Sequence, residues 1–189
     1  MKFFLRSLAH APALPVAALM LAAVTASASA INYSFQTLDN PGDPAFNQLL
    51  GINNAGEIAG YFGDGAMQPN KGYTLAPAYT AASYTNENFP NSVQTQVVGI
   101  NNNAIPATVG FYIDAQGNNL GFFEQNGAFV SIFGPDIPAT GTAVTQILGI
   151  NDSDIMVGFD TDAMGNNHGI VDSISTLKVM PFNLPSSFN

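Results

Sequence analysis

The tripeptide Gly-Ile-Asn occurs three times, at Gly51-Ile52-Asn53, Gly99-Ile100-Asn101 and Gly149-Ile150-Asn151. Starts at 51, 99 and 149 give a period of about 50 residues, the scale of solenoids, propellers and similar arrays. The landmarks downstream keep step. Gly60, Gly110 and Gly158 each precede an aspartate by four residues: Asp64, Asp114 and Asp162. Gly72, Gly121 and Gly169 follow those aspartates by seven or eight. A single unit of this size cannot bury its apolar face alone, so the units must pack on one another.

Each unit reads as four short strands. Val109 to Ile113 and Ile155 to Phe159 are β-branched and aromatic, which suits a pleated, half-buried surface. Asn126-Gly127 lies between two apolar runs and predicts a type I′ hairpin, since both positions need positive φ. The last strand of each unit runs towards a proline, such as Pro90 or Pro135. Helical periodicity is missing after Ala30, while Gly, Asn, Thr and Pro abound. The expected fold is all-β, with three four-stranded antiparallel repeats of about 50 residues. It is propeller-like, either partial or closed by oligomerisation; a three-fold prism or barrel is the alternative.

The first thirty residues have the order of a secretory signal: Lys2 and Arg6, an apolar run over 11–24, then Ala28-Ser29-Ala30. Pro12 and Pro15 interrupt the run, leaving too little for a span of about 20 residues. Residues 31–189 are expected as one domain, with repeats over 48–96, 97–145 and 146–185 and an extra strand within 31–47. The formal net charge is −9, and cleavage of the signal leaves Lys71 and Lys178 as the only basic side chains. Such a surface repels phosphates and anionic headgroups, so neither nucleic-acid binding nor membrane insertion after cleavage is expected. The chain has no cysteine, and an exported protein must then rely on core packing or bound metal.

Gly51-Ile-Asn-Asn-Ala-Gly-Glu-Ile-Ala-Gly-Tyr61 and Asp162-Ala-Met-Gly-Asn-Asn-His-Gly169 resemble the bacterial extracellular HAF-type repeat. Phe35-Gln-Thr-Leu-Asp-Asn-Pro-Gly42 resembles the end of one such unit. The resemblance implies an exported, propeller-like protein, periplasmic or extracellular. The sequence departs from that pattern in places. The histidine before the third glycine stands only at His168, with Lys71 and Leu120 at the matching positions, and the first repeat is lengthened over 76–83.

Candidate chemistry is sparse. Asp160, Asp162 and Asn166 could offer oxygens to a calcium ion, the one cofactor considered. The competing reading is a hairpin loop whose Asp and Asn bond to backbone N–H groups. Asp152 and Asp154 form a second acidic pair close by. Gly51, Asn53, Gly99, Asn101, Gly149 and Asn151 read as the architecture of the repeat, with sugar binding by the asparagines as the alternative. Tyr79 and Tyr84, in or beside the insertion, are the best-exposed rings for stacking on a sugar; His168 is a further binding candidate. Tyr61, Phe62, Tyr73, Phe89, Phe111 and Tyr112 are also available, but most of the phenylalanines lie on strands and read as core. No Gly-x-Ser-x-Gly elbow is present, and His168 would be the single histidine after signal cleavage.

The expected function is that of a secreted, non-catalytic module binding a glycan or a cell-surface protein. Alternatives are a structural protein that assembles with copies of itself, and a hydrolase of extracellular polymer.

Overall fold

The computed structural model describes residues 32–174 and the strand pair position 180–181. The expected signal segment 1–30, Ile31 and Lys178 lie outside the described residues. Two units are distinguished. Residues 1–36 belong to one, of which 32–36 carry no regular structure; residues 37–189 belong to the other, which holds every strand among the described residues.

The fold is all-β, in three antiparallel sheets. The first contains β1 (Asn47–Ile52), β2 (Ile58–Phe62), β3 (Lys71–Leu75) and β4 (Tyr84–Asn86). The second contains β5 (Gln94–Ile100), β6 (Ala107–Ile113), β7 (Asn119–Gln125) and β8 (Ala128–Ile132). The third contains β9 (Thr145–Ile150), β10 (Ile155–Thr161), β11 (Asn167–Ser173) and the short β12 (Met180–Pro181). In each sheet the strands pair in chain order. Among the described residues the sole helical element is a 3₁₀ turn at Ala81–Ser83, inside the lengthened part of the first repeat. No helix among them is long and apolar enough to cross a membrane. Among the described residues the sheets do not close into a barrel or ring.

The local sequence explains the pairing. Asn126 and Gly127 take φ of 55° and 80°, the positive values that a type I′ turn requires between β7 and β8. The first two strands of every sheet slip register at one place, so Leu50, Val98 and Leu148 bulge out of their ladders. The bulge drives the carbonyls of Gln48, Gln96 and Gln146 against Gly60, Gly110 and Gly158, and a Cβ at any of these glycines would collide with that oxygen. The periodic Gly-aromatic pair is thus explained by close approach of the neighbouring backbone.

The extra strand expected within 31–47 does not form over the described residues. Pro41 and Pro44 lack N–H donors, and the neighbouring donors are held locally. Asn40 N–H bonds Asn47 Oδ1 at 2.8 Å, Gly42 N–H bonds Asn40 Oδ1 at 2.8 Å, and Asp43 N–H bonds the Asn40 carbonyl at 3.1 Å.

Apolar residues pack where the sheets meet. β5 packs on the first sheet, and β9 packs on the second. Ala59 of β2 shares a core with Val97, Ile100, Tyr112 and Phe122. Ala107, Val109 and Phe123 share another with Ile147, Met156 and Ile170. Burial of each such aliphatic or aromatic side chain is worth about 1.5–3 kcal/mol.

Candidate functional site

The Gly-Ile-Asn corners join the sheets. The Asn53 side-chain oxygen accepts the N–H groups of Ala55 and Glu57, closing the turn into β2. Its amide nitrogen donates to the Asn101 carbonyl at 3.3 Å. Asn101 repeats both acts, accepting from Ala107 N–H at 2.8 Å and donating to the Asn151 carbonyl at 3.4 Å. The next residue along completes the link: Asn102 Oδ1 accepts Asn54 N–H, and Asp152 Oδ1 accepts Asn102 N–H at 2.8 Å. Asp154 takes the amides of Asn101 and Asn103. Asn53 and Asn101 are buried, so these amides serve the joint and are not offered to a sugar.

The acidic residues of the third repeat are dispersed. Asp152 and Asp154 belong to the joint just described. Asp160 is fully buried on β10, with Oδ2 accepting Asp136 N–H at 2.8 Å and its Cβ pressed against Gly134. Asp162 lies in the hairpin loop before β11. Its Oδ1 accepts the N–H groups of Met164 and Asn166, and its Oδ2 meets Asn166 Nδ2 at 2.9 Å and His168 Nε2 at 3.1 Å. These bonds, led by the Asn166 side chain, hold its carboxyl well below the usual range. Asp64 and Asp114 make the same loop bonds, to Ala66, Met67 and Gln68 and to Gln116 and Asn118 respectively. Asp162 and Asn166 are thus brought together with His168, while Asp160 faces another neighbour. Among the described residues no three His, Asp or Glu side chains group as metal ligands.

Tyr84 opens onto a cleft of about 410 Å³ against the β4 edge of the first sheet. Phe62, Tyr73 and Tyr84 supply its rings, and Asn40, Asn86 and Asn88 supply amides, with Lys71 beside them. Tyr84 meets Tyr73 edge to face, ring centres 4.9 Å apart. Tyr73 overlaps Phe62 with centres at 6.5 Å. Gly72 N–H bonds Asn88 Oδ1 and Asn88 N–H bonds Asn86 Oδ1, which fixes the rim. Burial, reinforced by the Asp39 charge, pushes the Tyr84 hydroxyl up; burial does the same to Tyr73. The Tyr73 hydroxyl is buried with no partner among the described residues.

No family model, curated protein or solved structure matches this chain.

Tyr79 and Tyr84 are both half-buried, not exposed as the sequence leads one to expect. Tyr79 sits at φ 45° with its hydroxyl on the Gly56 carbonyl at 2.7 Å, so it braces the insertion. His168 belongs to the third sheet and does not line the cleft. Sequence reasoning missed the asparagines of the rim, because three amides drawn from 40, 86 and 88 have no repeat spacing.

It also missed a polar pocket of about 270 Å³ between the first two sheets, lined by Glu57, Glu87 and Glu124. Burial, and then the adjacent Glu124 carboxylate, pushes the Glu87 carboxyl up to about 8, so it is protonated at neutral pH. Glu124 is buried, accepting from the Thr108 hydroxyl at 3.3 Å and from Gly127 N–H at 2.6 Å.

Proposed function

We propose that this chain is an exported, non-catalytic β-repeat module of the HAF type that binds an extracellular glycan in the Tyr84 cleft. The single observation that carries the reading is the make-up of that cleft: the partly exposed rings of Phe62 and Tyr84, backed by the buried Tyr73, with the amides of Asn86 and Asn88 at the edge. Sugars present apolar C–H faces that stack on rings and hydroxyl groups that pair with amides. The repeat reading of the fold is supported by the shared strand order, the bulges at Leu50, Val98 and Leu148, and the common asparagine corner.

The test is a glycan array probed with the chain and with Tyr84→Ala, in calcium and in chelator. Expected is a restricted set of hits, weakened about tenfold or more by the substitution. No hits for the unmodified chain, or hits indifferent to Tyr84, would overturn the reading.

The Glu87–Glu124 pocket gives the hydrolase alternative its one supporting observation. Glu87 and Glu124 line the same pocket, and Glu124 adds to the rise of the Glu87 carboxyl. None of the residues lining that pocket carries an aromatic ring on which a sugar face could stack. Glycan binding therefore has the better fit.

A further inference from the structure

The joint between neighbouring sheets is made by two unlike halves. The leading half comes from the second strand and corner of one sheet, the trailing half from the first strand of the next. Ala59 and Val109, at matching positions before Gly60 and Gly110, are the leading aliphatics. Both are 0% exposed because the following sheet covers them, whereas their counterpart Val157 is 49% exposed. Val97 and Ile147, two residues before Gly99 and Gly149, are the trailing aliphatics. Both are 0% exposed, whereas their counterpart Leu49 is 42% exposed. Ile52 is likewise exposed while Ile100 is buried.

The corner glycines say the same thing. A Cβ on Gly51 would touch Gly99 Cα at 3.1 Å, and one on Gly99 would touch Gly149 Cα at 3.5 Å. A Cβ on Gly149 would meet only Val157 of its own sheet. The hydrogen bonds agree. Asn151 keeps its turn, accepting from Ser153 and Ile155 N–H, but among the described residues its amide nitrogen has no acceptor. Asn54 occupies the place of Asn102 and Asp152, and its side chain has no partner among the described residues.

The third sheet thus ends in an unused leading half, and the first sheet begins with an unused trailing half. From this we infer that a second copy of this chain docks head to tail, its first sheet on this chain's third. Leu49 and Ile52 of the second copy cover Val157. Asn151 Nδ2 donates to the second copy's Asn53 carbonyl, and Asp152 N–H donates to the second copy's Asn54 side chain. The occupant follows from continuity: the surface is the one the chain already uses twice within itself. The polar clamp at the joint is also ready. Gly134 N–H bonds Thr145 Oγ1 at 2.9 Å and Phe89 N–H bonds Thr95 Oγ1 at 3.1 Å. Asn40 N–H makes the corresponding bond to Asn47 in the first sheet. An interface of two unlike halves closes a ring or extends a filament according to its rotation.

The test is sedimentation velocity on the full chain with Leu49→Glu and Val157→Lys, which spoil the trailing and the leading half. Both side chains are exposed within one chain, so the folded monomer keeps its melting temperature. The unmodified chain is expected to associate at about 100 µM, and each variant alone to be monomeric. An equimolar mixture restores a 1:1 dimer, because each variant retains the half that the other has lost. Asn151→Asp, which keeps the turn acceptor and loses the donor, weakens association about tenfold. A monomeric unmodified chain, or variants that are monomeric alone and remain so when mixed, would overturn the inference. So would self-association of either variant at the unmodified strength.

Discussion

Asn53 reaches across from the first sheet to the second, its amide nitrogen 3.3 Å from the Asn101 carbonyl, while its oxygen holds its own turn. One side chain therefore fixes both a corner and a joint. The same double use at Asn101 suits asparagine, which carries its acceptor and its donor on separate atoms, whereas an ionised aspartate has no donor.

Truncating this residue should cost more where both uses are realised. Asn101→Ala removes the acceptor of the Asn103 and Ala107 N–H groups at a buried position and the amide donor to the Asn151 carbonyl and Asp154, and should destabilise by about 2–3 kcal/mol in urea unfolding. Asn151→Ala loses only the turn bonds at an exposed position and should cost about 1 kcal/mol. Equal costs would speak against the joint.

Glycine at 110 answers to the bulge, and glycine at 117 does not. A Cβ at Gly110 collides with the Gln96 carbonyl, whereas one at Gly117 meets nothing within 4 Å. Gly110→Ala should destabilise by about 3 kcal/mol or more, and Gly117→Ala, at φ 86°, by about 1 kcal/mol. Thermal unfolding of the pair measures the difference.

The Glu87 carboxyl binds its proton more tightly in the folded chain than in the unfolded one. Its contribution is therefore complete below the ordinary value of 4.5 and is lost as pH rises to about 8. The melting temperature should fall by a few degrees across that window, and Glu87→Gln should flatten the fall. The charges facing Glu87 are Glu124 and Glu57, both of which oppose its ionisation. A slope unchanged in the variant would assign the effect elsewhere.

Asp162 acts through its loop bonds. Asp162→Ala should lower the melting temperature by a few degrees, to the same extent with added calcium or with chelator. If chelator alone destabilised the unmodified chain, a structural metal would be the better account.

Much of the fold is legible in the sequence because its strongest constraints are local and repeated. Asn126-Gly127 specifies its turn by backbone conformation alone, and Gly60, Gly110 and Gly158 each answer the same bulge. The segment before Asn47 is not legible in this way. Its apolar residues suit a strand, but strand formation needs an edge to pair with, and no local pattern reports one. The candidate sites are less legible still. Glu87 and Glu124 are 37 residues apart in the numbering, one just after β4 and the other within β7, so no spacing links them. Tyr84 could be singled out as an aromatic by the insertion. Its partners Asn40 and Asn88 are brought to it by the turn before β1 and the rim after β4, which are tertiary facts.

The central claim is that the asparagine corner is an inter-sheet joint, used twice within the chain and left open at its end. Amide hydrogen exchange at Asn54, Asn102 and Asp152, measured at low concentration, tests it most directly. Asn54 N–H is bonded to Asn102 Oδ1 and Asn102 N–H to Asp152 Oδ1, while Asp152 N–H has no partner among the described residues. The account predicts slowed exchange at Asn54 and Asn102, and free exchange at Asp152 that slows as concentration rises. Equal exchange at all three amides, unmoved by concentration, would contradict it.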